Sequence, residues 1–185
     1  PEHVHKLCDL INASGFDLNI WVYARVDTVT PLMLTKMRAA GIRWICYGFE
    51  SANQNVLDSV RKGYAKTDVF EAVRMTREAG IHILANFMFG LPEDNQETMR
   101  QTLRLAMELN CEFANFYCCM AYPGSKLYDQ AIAQNIKLPE SWDGYSQLSH
   151  ETLPLPTKHL TSAEVLLFRD QAFREYYSNP KYLAM

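Results

Sequence analysis

The strongest constraint on the fold is a rhythm in the chain. Apolar runs rich in β-branched and aromatic residues occur at 19–25 (NIWVYAR), 42–49 (IRWICYGF), 81–89 (IHILANFMF) and 113–121. Between them lie stretches with helical spacing, so strand and helix alternate at a period of roughly 30–40 residues. The helix boundaries carry their own signals. Gly15, Gly41 and Gly80 each close a helical run, as expected of a residue that adopts the left-handed conformation at low cost. Thr30-Pro31 opens a helix with a capping hydroxyl and a proline in the first turn. Thr67 is expected to cap another over 68–79, and further helices are expected at 2–14, about 54–61, about 96–109 and near 125–135. The strands are apolar on both faces, which is the mark of a parallel sheet covered by helices or closed into a barrel. This is an α/β chain, and it is either a small open domain or a portion of a larger barrel.

The last fifty residues leave the rhythm. Pro139, Pro154 and Pro156 punctuate a stretch of weak periodicity, read as a loop that wraps the surface over 136–160. Thr161-Ser-Ala-Glu164 is a capping box that opens a final amphipathic helix reaching about Tyr177. Composition excludes several classes. With 48% hydrophobic and 21% charged residues the chain can bury a core. A net charge of −3 argues against a surface that coats nucleic acid, and no apolar run approaches the ~18–20 residues of a membrane span. The five cysteines (Cys8, Cys46, Cys111, Cys118, Cys119) are odd in number and hold no C-x-x-C spacing. A disulfide framework is therefore not expected, and a reducing cytoplasmic compartment is.

In parallel α/β folds ligands bind at the carboxyl ends of strands. That rule selects Arg25-Val26-Asp27, Gly48-Phe49-Glu50-Ser51, Gly90-Leu91-Pro92-Glu93 and Tyr122-Pro123-Gly124-Ser125. The glycines let a ligand approach the backbone. A carboxylate such as Glu50 suits a sugar diol or an amino group, and an arginine such as Arg25 suits a carboxylate. The bland alternatives are turn glycines and surface ion pairs. His82 opens a strand and reads as a rim or packing residue, and the scattered methionines read as core filling. Glu93 and Glu97 suit the amino terminus of the following helix. Trp142 and Tyr145 in the wrapping loop either cover the barrel mouth or anchor the loop.

The run GFESANQNVLDSVRKG (residues 48–63), followed by FGLPEDNQET (residues 89–98), resembles the radical S-adenosylmethionine (radical SAM) superfamily. WVYARVDTVTPLMLTKMRAAG upstream, and YPGSKLYDQA and FREYYSNPKYL downstream, strengthen the likeness and point to the cobalamin-binding branch. The resemblance implies a partial TIM-type barrel of six parallel βα units, of which this chain holds about four, the third to sixth. Residues 1–135 would form that partial barrel, and 136–185 the loop and helix extension. It further implies a four-iron, four-sulfur cluster, S-adenosylmethionine as cofactor, an electron donor, a small-molecule substrate, and possible cobalamin in the parent protein. There S-adenosylmethionine is cleaved reductively to a 5′-deoxyadenosyl radical for methylation, oxidation or rearrangement. Position by position, Glu50 and Ser51 fall where the family contacts the ribose or methionine moiety, and Lys62 where a basic residue meets the methionine carboxylate. Asn86 takes the strand position that reaches the ribose. Gly90, Leu91 and Pro92 follow Phe89 in the turn beside the adenine, and Arg25 matches an arginine of the family's strand.

The departure from the pattern is equally informative. The family's cluster ligands form a C-x-x-x-C-x-x-C loop, and this chain has none. Cys118 and Cys119, adjacent on an expected strand, would point to opposite faces. Cys8 shares a helix face with Val4, Leu7 and Ile11, and Cys46 and Cys111 are isolated, so these three read as buried structural thiols. The cluster loop and two strands are expected upstream of Pro1, with a cobalamin domain before them. The alternative is a non-catalytic α/β module that kept the scaffold without the cluster. An ordinary small α/β enzyme is disfavoured, since no Ser-His-Asp order, phosphate loop or paired carboxylates stand in context.

Overall fold

The computed structural model describes residues 2–185, and the alternation read from the sequence is its organising feature. The helix α1 (Glu2–Ser14) precedes β1 (Ile20–Ala24), α2 (Pro31–Ala39), β2 (Ile42–Glu50), α3 (Gln54–Ser59), α4 (Lys66–Glu78) and β3 (His82–Phe89). Then follow α5 (Gln96–Leu109), β4 (Phe113–Cys118), α6 (Lys126–Ala133), α7 (Ser162–Tyr177) and α8 (Pro180–Leu183). The four strands form one sheet in the order β1-β2-β3-β4. Chain order and spatial order coincide because each strand returns to its neighbour through a helical crossover. β1 pairs with β2 in parallel, from Ile20 opposite Ile42 to Ala24 opposite Tyr47, with a register shift between Ile20 and Trp21.

The chain divides into two compact units. The first comprises Pro1–Phe49, Gly63–Asn86 and Glu108–Asn115. Its core buries Leu34 and Met37 of α2, Ile45 and Tyr47 of β2, Val69, Ala72 and Val73 of α4, and Ile83 of β3. The Tyr47 hydroxyl needs a partner in that apolar setting and finds one in Thr76 Oγ1 at 2.8 Å. Burial still pushes the phenol up to about 12. Gly41 ends α2 at φ +86°, and a Cβ there would sit 2.4 Å from the Leu18 carbonyl oxygen, so the position admits only glycine. Aromatic rings cross the sheet at its amino end. Trp21 lies 5.4 Å from Trp44, and Trp44 lies 4.8 Å from His82, so His82 is a packing residue at the rim.

The second unit comprises Glu50–Lys62, Phe87–Met107 and Phe116–Met185. Phe87 and Phe89 each stack on Phe116, while Phe168 of α7 meets Phe89 edge-on and Phe173 and Tyr176 of α7 meet Phe116 edge-on. Arg100 of α5 lies 5.1 Å over Phe168 and bonds Glu175 at 2.7 Å, which ties α7 to α5. The loop over 136–160 closes the outer edge of β4. The Gln147 side-chain amide takes the place of a strand peptide: Cys118 N–H donates to its oxygen at 2.9 Å, and its nitrogen donates to Cys118 O at 2.8 Å. Tyr145 anchors this loop as a buried residue, whereas Trp142 is exposed.

Three sequence expectations change. α4 starts at Lys66, not after Thr67; Ala65 is its cap, and Asp68 Oδ2 accepts the Ala65 N–H at 2.8 Å. The cap residue thus has no side-chain oxygen to offer, and Asp68, the third helical residue, reaches back to its amide instead. β4 stops at Cys118, short of residue 121, because the main chain of Cys119 turns to Phe89 O and receives Leu155 N–H. Cys119 therefore lies beyond the strand. A short helix, α8, follows α7, capped by Asn179. The Thr161–Glu164 capping box is present in full.

Candidate functional site at the strand carboxyl ends

The carboxyl end of β2 carries a left-handed, non-glycine residue. Tyr64 donates its hydroxyl to both Gly48 O, at 2.9 Å, and Phe49 O, at 3.0 Å, so the last carbonyls of the strand are held from the side. The next residue, Glu50, is left-handed at φ +55°. A long, non-glycine side chain in that region costs roughly 1–2 kcal/mol. Strain of this kind persists where the surroundings over-determine it. Here Lys62 supplies part of the determination: its ammonium bonds Glu50 Oε1 at 2.6 Å, with the two side chains only 15% and 29% exposed for Glu50 and Lys62. Lys62 reaches this place because the chain turns sharply after α3. Its amide donates to Leu57 O, and Arg61 and Gly63 on either side have φ of +57° and +70°.

Ser51 follows Glu50 but faces inward at 2% exposed. Its hydroxyl lies 3.2 Å from Thr102 Oγ1 and accepts Asn53 N–H at 3.1 Å. Thr102 also accepts Ala52 N–H at 3.0 Å, and Asn53 caps α3. Ser51 thus braces the loop that carries Glu50.

The turn after β3 is built round a residue the sequence pattern does not single out. Asp94 is 1% exposed; its Oδ2 accepts Leu91 N–H at 3.0 Å, and Thr98 donates its hydroxyl to Oδ1 at 2.6 Å. Burial raises the carboxyl above its ordinary value, and the hydrogen bonds from Thr98 and Leu91 oppose that rise. Asn95 beside it caps α5 by accepting Glu97 and Thr98 N–H, and Glu93 instead pairs with Lys158 at 2.5 Å. The Asp-Asn-x-x-Thr pattern could have revealed both roles. Gly90, at φ +78°, would drive a Cβ to 2.6 Å from Val165 Cγ1, and Leu91 is buried. Pro92 offers its carbonyl to Lys158 N–H at 3.2 Å.

Two further expected residues lie in the first unit. Arg25 makes a bidentate bond to Asp27, at 2.9 and 2.7 Å, which holds the guanidinium firmly charged. Asn86 donates to Cys46 Sγ at 2.9 Å and accepts from Asn115 Nδ2 at 3.2 Å, so its amide is oriented from both ends. The structure therefore pairs Glu50 with Lys62 and sets Gly90–Leu91–Pro92 on Asp94. Arg25, Asn86 and Ser51 each engage other residues.

All five thiols are buried. Burial pushes Cys118 up to about 11, and Cys111 and Cys119 to about 12. Among the described residues no group of three or more His, Cys, Asp or Glu could hold a metal ion. The residues described do not fit an iron–sulfur cluster, which needs several thiolates on one centre. Among the described residues no helix is long and apolar enough to cross a membrane.

An uncharacterized methyltransferase of Pyrococcus horikoshii is 28% identical over 173 residues, which is 94% of this chain and 37% of the relative. An anaerobic magnesium-protoporphyrin IX monomethyl ester cyclase of Cereibacter sphaeroides is 31% identical over 78% of this chain and 23% of its own length. The chain thus spans about a quarter to a third of these relatives. Among solved structures, the radical S-adenosylmethionine methyltransferase TsrM of Kitasatospora setae, solved with cobalamin and a [4Fe-4S] cluster bound, matches with a TM-score of 0.65. It is 22% identical, over 75% of this chain and 28% of that one. That likeness shows the fold: the four parallel βα units are part of a TIM-like barrel of that type. The sequence model of the Radical SAM superfamily matches residues 4–106, more than half of the 185, and the chain belongs to that superfamily.

Proposed function

We propose that this chain is the S-adenosylmethionine-binding portion of a radical SAM enzyme that methylates, oxidises or rearranges an organic substrate. The observation that carries the reading is the Glu50–Lys62 pair, two shielded opposite charges on a strained strand end at the catalytic rim of an α/β fold. A methionine moiety presents an ammonium and a carboxylate, and this pair offers the complementary charges. Lys62 would bind the carboxylate and Glu50 the ammonium or ribose, with Asn86 at the ribose and the Gly90–Pro92 turn at the adenine. Ser51 would act by holding the Glu50 loop, and Arg25, at the end of β1, would contribute its guanidinium to cofactor binding. When bound, the cofactor supplies a sulfonium whose cleavage yields the reacting radical.

The parent protein would add the cluster ligands, the remaining strands and an electron donor, in the cytoplasm. Likeness to an uncharacterized methyltransferase supports methyl transfer among these reactions. Residues 1–135 would be the barrel portion and 136–185 its extension. The test uses the full-length protein and isothermal titration with S-adenosylmethionine. Glu50→Ala and Lys62→Met should each weaken binding by about tenfold or more, the equivalent of one charge-assisted hydrogen bond. Unchanged affinity and cleavage in both variants would reduce the pair to a structural clamp. Intact binding without any cleavage by the cluster-loaded wild type would favour a non-catalytic module.

A further inference from the structure

Asp94 stands apart from the other acids of the chain. It is almost fully buried, and the partners seen round its carboxylate are dipoles: the amide of Leu91 and the hydroxyl of Thr98. Its own amide closes back on Leu91 O at 2.8 Å, so the turn and the carboxylate bind each other from both directions. Leaving a carboxylate in such a place is costly unless its donors are fixed in position. The two oxygens take different donors, Oδ2 the Leu91 amide and Oδ1 the Thr98 hydroxyl. Aspartate accepts both. Asparagine would accept with its oxygen only and turn an N–H₂ toward other donors. Glutamate would carry its oxygens a methylene too far. The rest of the turn is fixed as well: Phe89 O receives Cys119 N–H, Pro92 O receives Lys158 N–H, and Gly90 is closed against Val165.

We infer that Asp94 is a positioning residue, which holds the Gly90–Leu91–Pro92 turn in the one shape that receives the adenine moiety. The inference rests on the reading above that this turn faces the adenine. Asp94 itself touches no cofactor. It turns the Leu91 amide inward, so the outer contour of the turn is set before any ligand arrives, and the ordering cost of binding is reduced. This makes a separable prediction, because a residue that shapes only the adenine end should leave the methionine end unaffected.

The experiment uses the full-length protein and two probes, S-adenosylhomocysteine and free methionine, with thermal unfolding to verify the fold of each variant. Asp94→Asn is expected to weaken S-adenosylhomocysteine by about tenfold and to change methionine by less than about twofold. Thr98→Val removes one donor and keeps the Leu91 amide. It is expected to cost about threefold for S-adenosylhomocysteine alone, and it carries the test if Asp94→Asn does not fold. Wild-type affinity for S-adenosylhomocysteine, or an equal loss for both ligands in a folded variant, overturns the inference. An azidoadenine analogue of S-adenosylmethionine separates it from the underlying reading. Labelling outside residues 86–98 overturns that reading. Labelling within them, with affinity unchanged in the variant, overturns the role of Asp94 alone.

Discussion

Replacing Glu50 by alanine and by glycine separates two opposing energies at one residue. Glu50→Ala removes the carboxylate that Lys62 meets at 2.6 Å, in a pair whose side chains are 15% and 29% exposed. A fully exposed pair is worth ~0–1 kcal/mol, and a hydrogen bond to a charged group in a shielded place about 1.5–3 kcal/mol. With both partners mostly covered, the loss should be about 2 kcal/mol. Glu50→Gly removes the same carboxylate but also relieves the left-handed backbone at φ +55°, worth roughly 1–2 kcal/mol. The added freedom of glycine in the unfolded chain takes back about 0.4–1 kcal/mol of that. Glycine should therefore be more stable than alanine by about 0.5–1 kcal/mol. At ~2–4 °C per kcal/mol for a chain of this size, alanine should lower Tm by about 4–8 °C and glycine by clearly less. Circular dichroism during thermal and urea unfolding measures both. If glycine is as destabilising as alanine, or worse, the strain assigned to Glu50 is absent. If alanine is neutral, the ion pair contributes nothing.

Other outcomes follow from the same geometry. Gly90→Ala combines a left-handed φ of +78° with a Cβ 2.6 Å from Val165 Cγ1, so it should cost about 2–4 kcal/mol in urea unfolding. Val165→Ala should recover part of that loss, and no recovery would refute the steric account. In the native protein a thiol-specific chromogenic reagent should react with less than about one of the five buried cysteines, and with all of them in denaturant. Rapid native labelling would contradict the raised thiols. Asp94 titrates above the ordinary aspartate value of 3.8 when folded. Its protonation therefore favours the fold below 3.8, and that contribution is lost as pH rises through the folded value. The stability of wild type minus that of Asp94→Asn should fall with pH across that window, and a difference that grows would mean the hydrogen bonds outweigh burial. Iron and sulfide reconstitution of this chain alone should give no stoichiometric cluster, read by visible absorbance and iron content. A stable cluster would refute the statement that its described residues do not fit one.

Much of the fold was legible because it is written in local signals. Helices α2 and α7 begin at the capping Thr30 and Thr161, and α1 and α2 stop just before Gly15 and Gly41, since a helix terminus must satisfy its own orphan amides and carbonyls within a few residues. The cap of α4 was misread for the same reason: Thr67 and Asp68 are both plausible local partners, and only the path of the chain decides that Asp68 bonds Ala65. Ser51 shows the limit in another form. Its place beside Glu50 marks it as a rim residue, yet it lies inside, against Thr102, which is distant in the chain.

By itself the sequence determined the alternation of strand and helix, the parallel α/β class, the rim segments and the family. These follow from periodicity, terminators and residues close together in the chain. Only the tertiary structure decided that Glu50 is left-handed and meets Lys62, that Asn86 is oriented by Cys46 and Asn115, and that Asp94 sits under the Gly90 turn. Those facts depend on which carbonyls Tyr64 holds, which amides lack other partners, and how much water each charge has lost. None of these is a property of a short stretch of sequence, because burial and hydrogen-bond competition are settled by residues brought together from far along the chain.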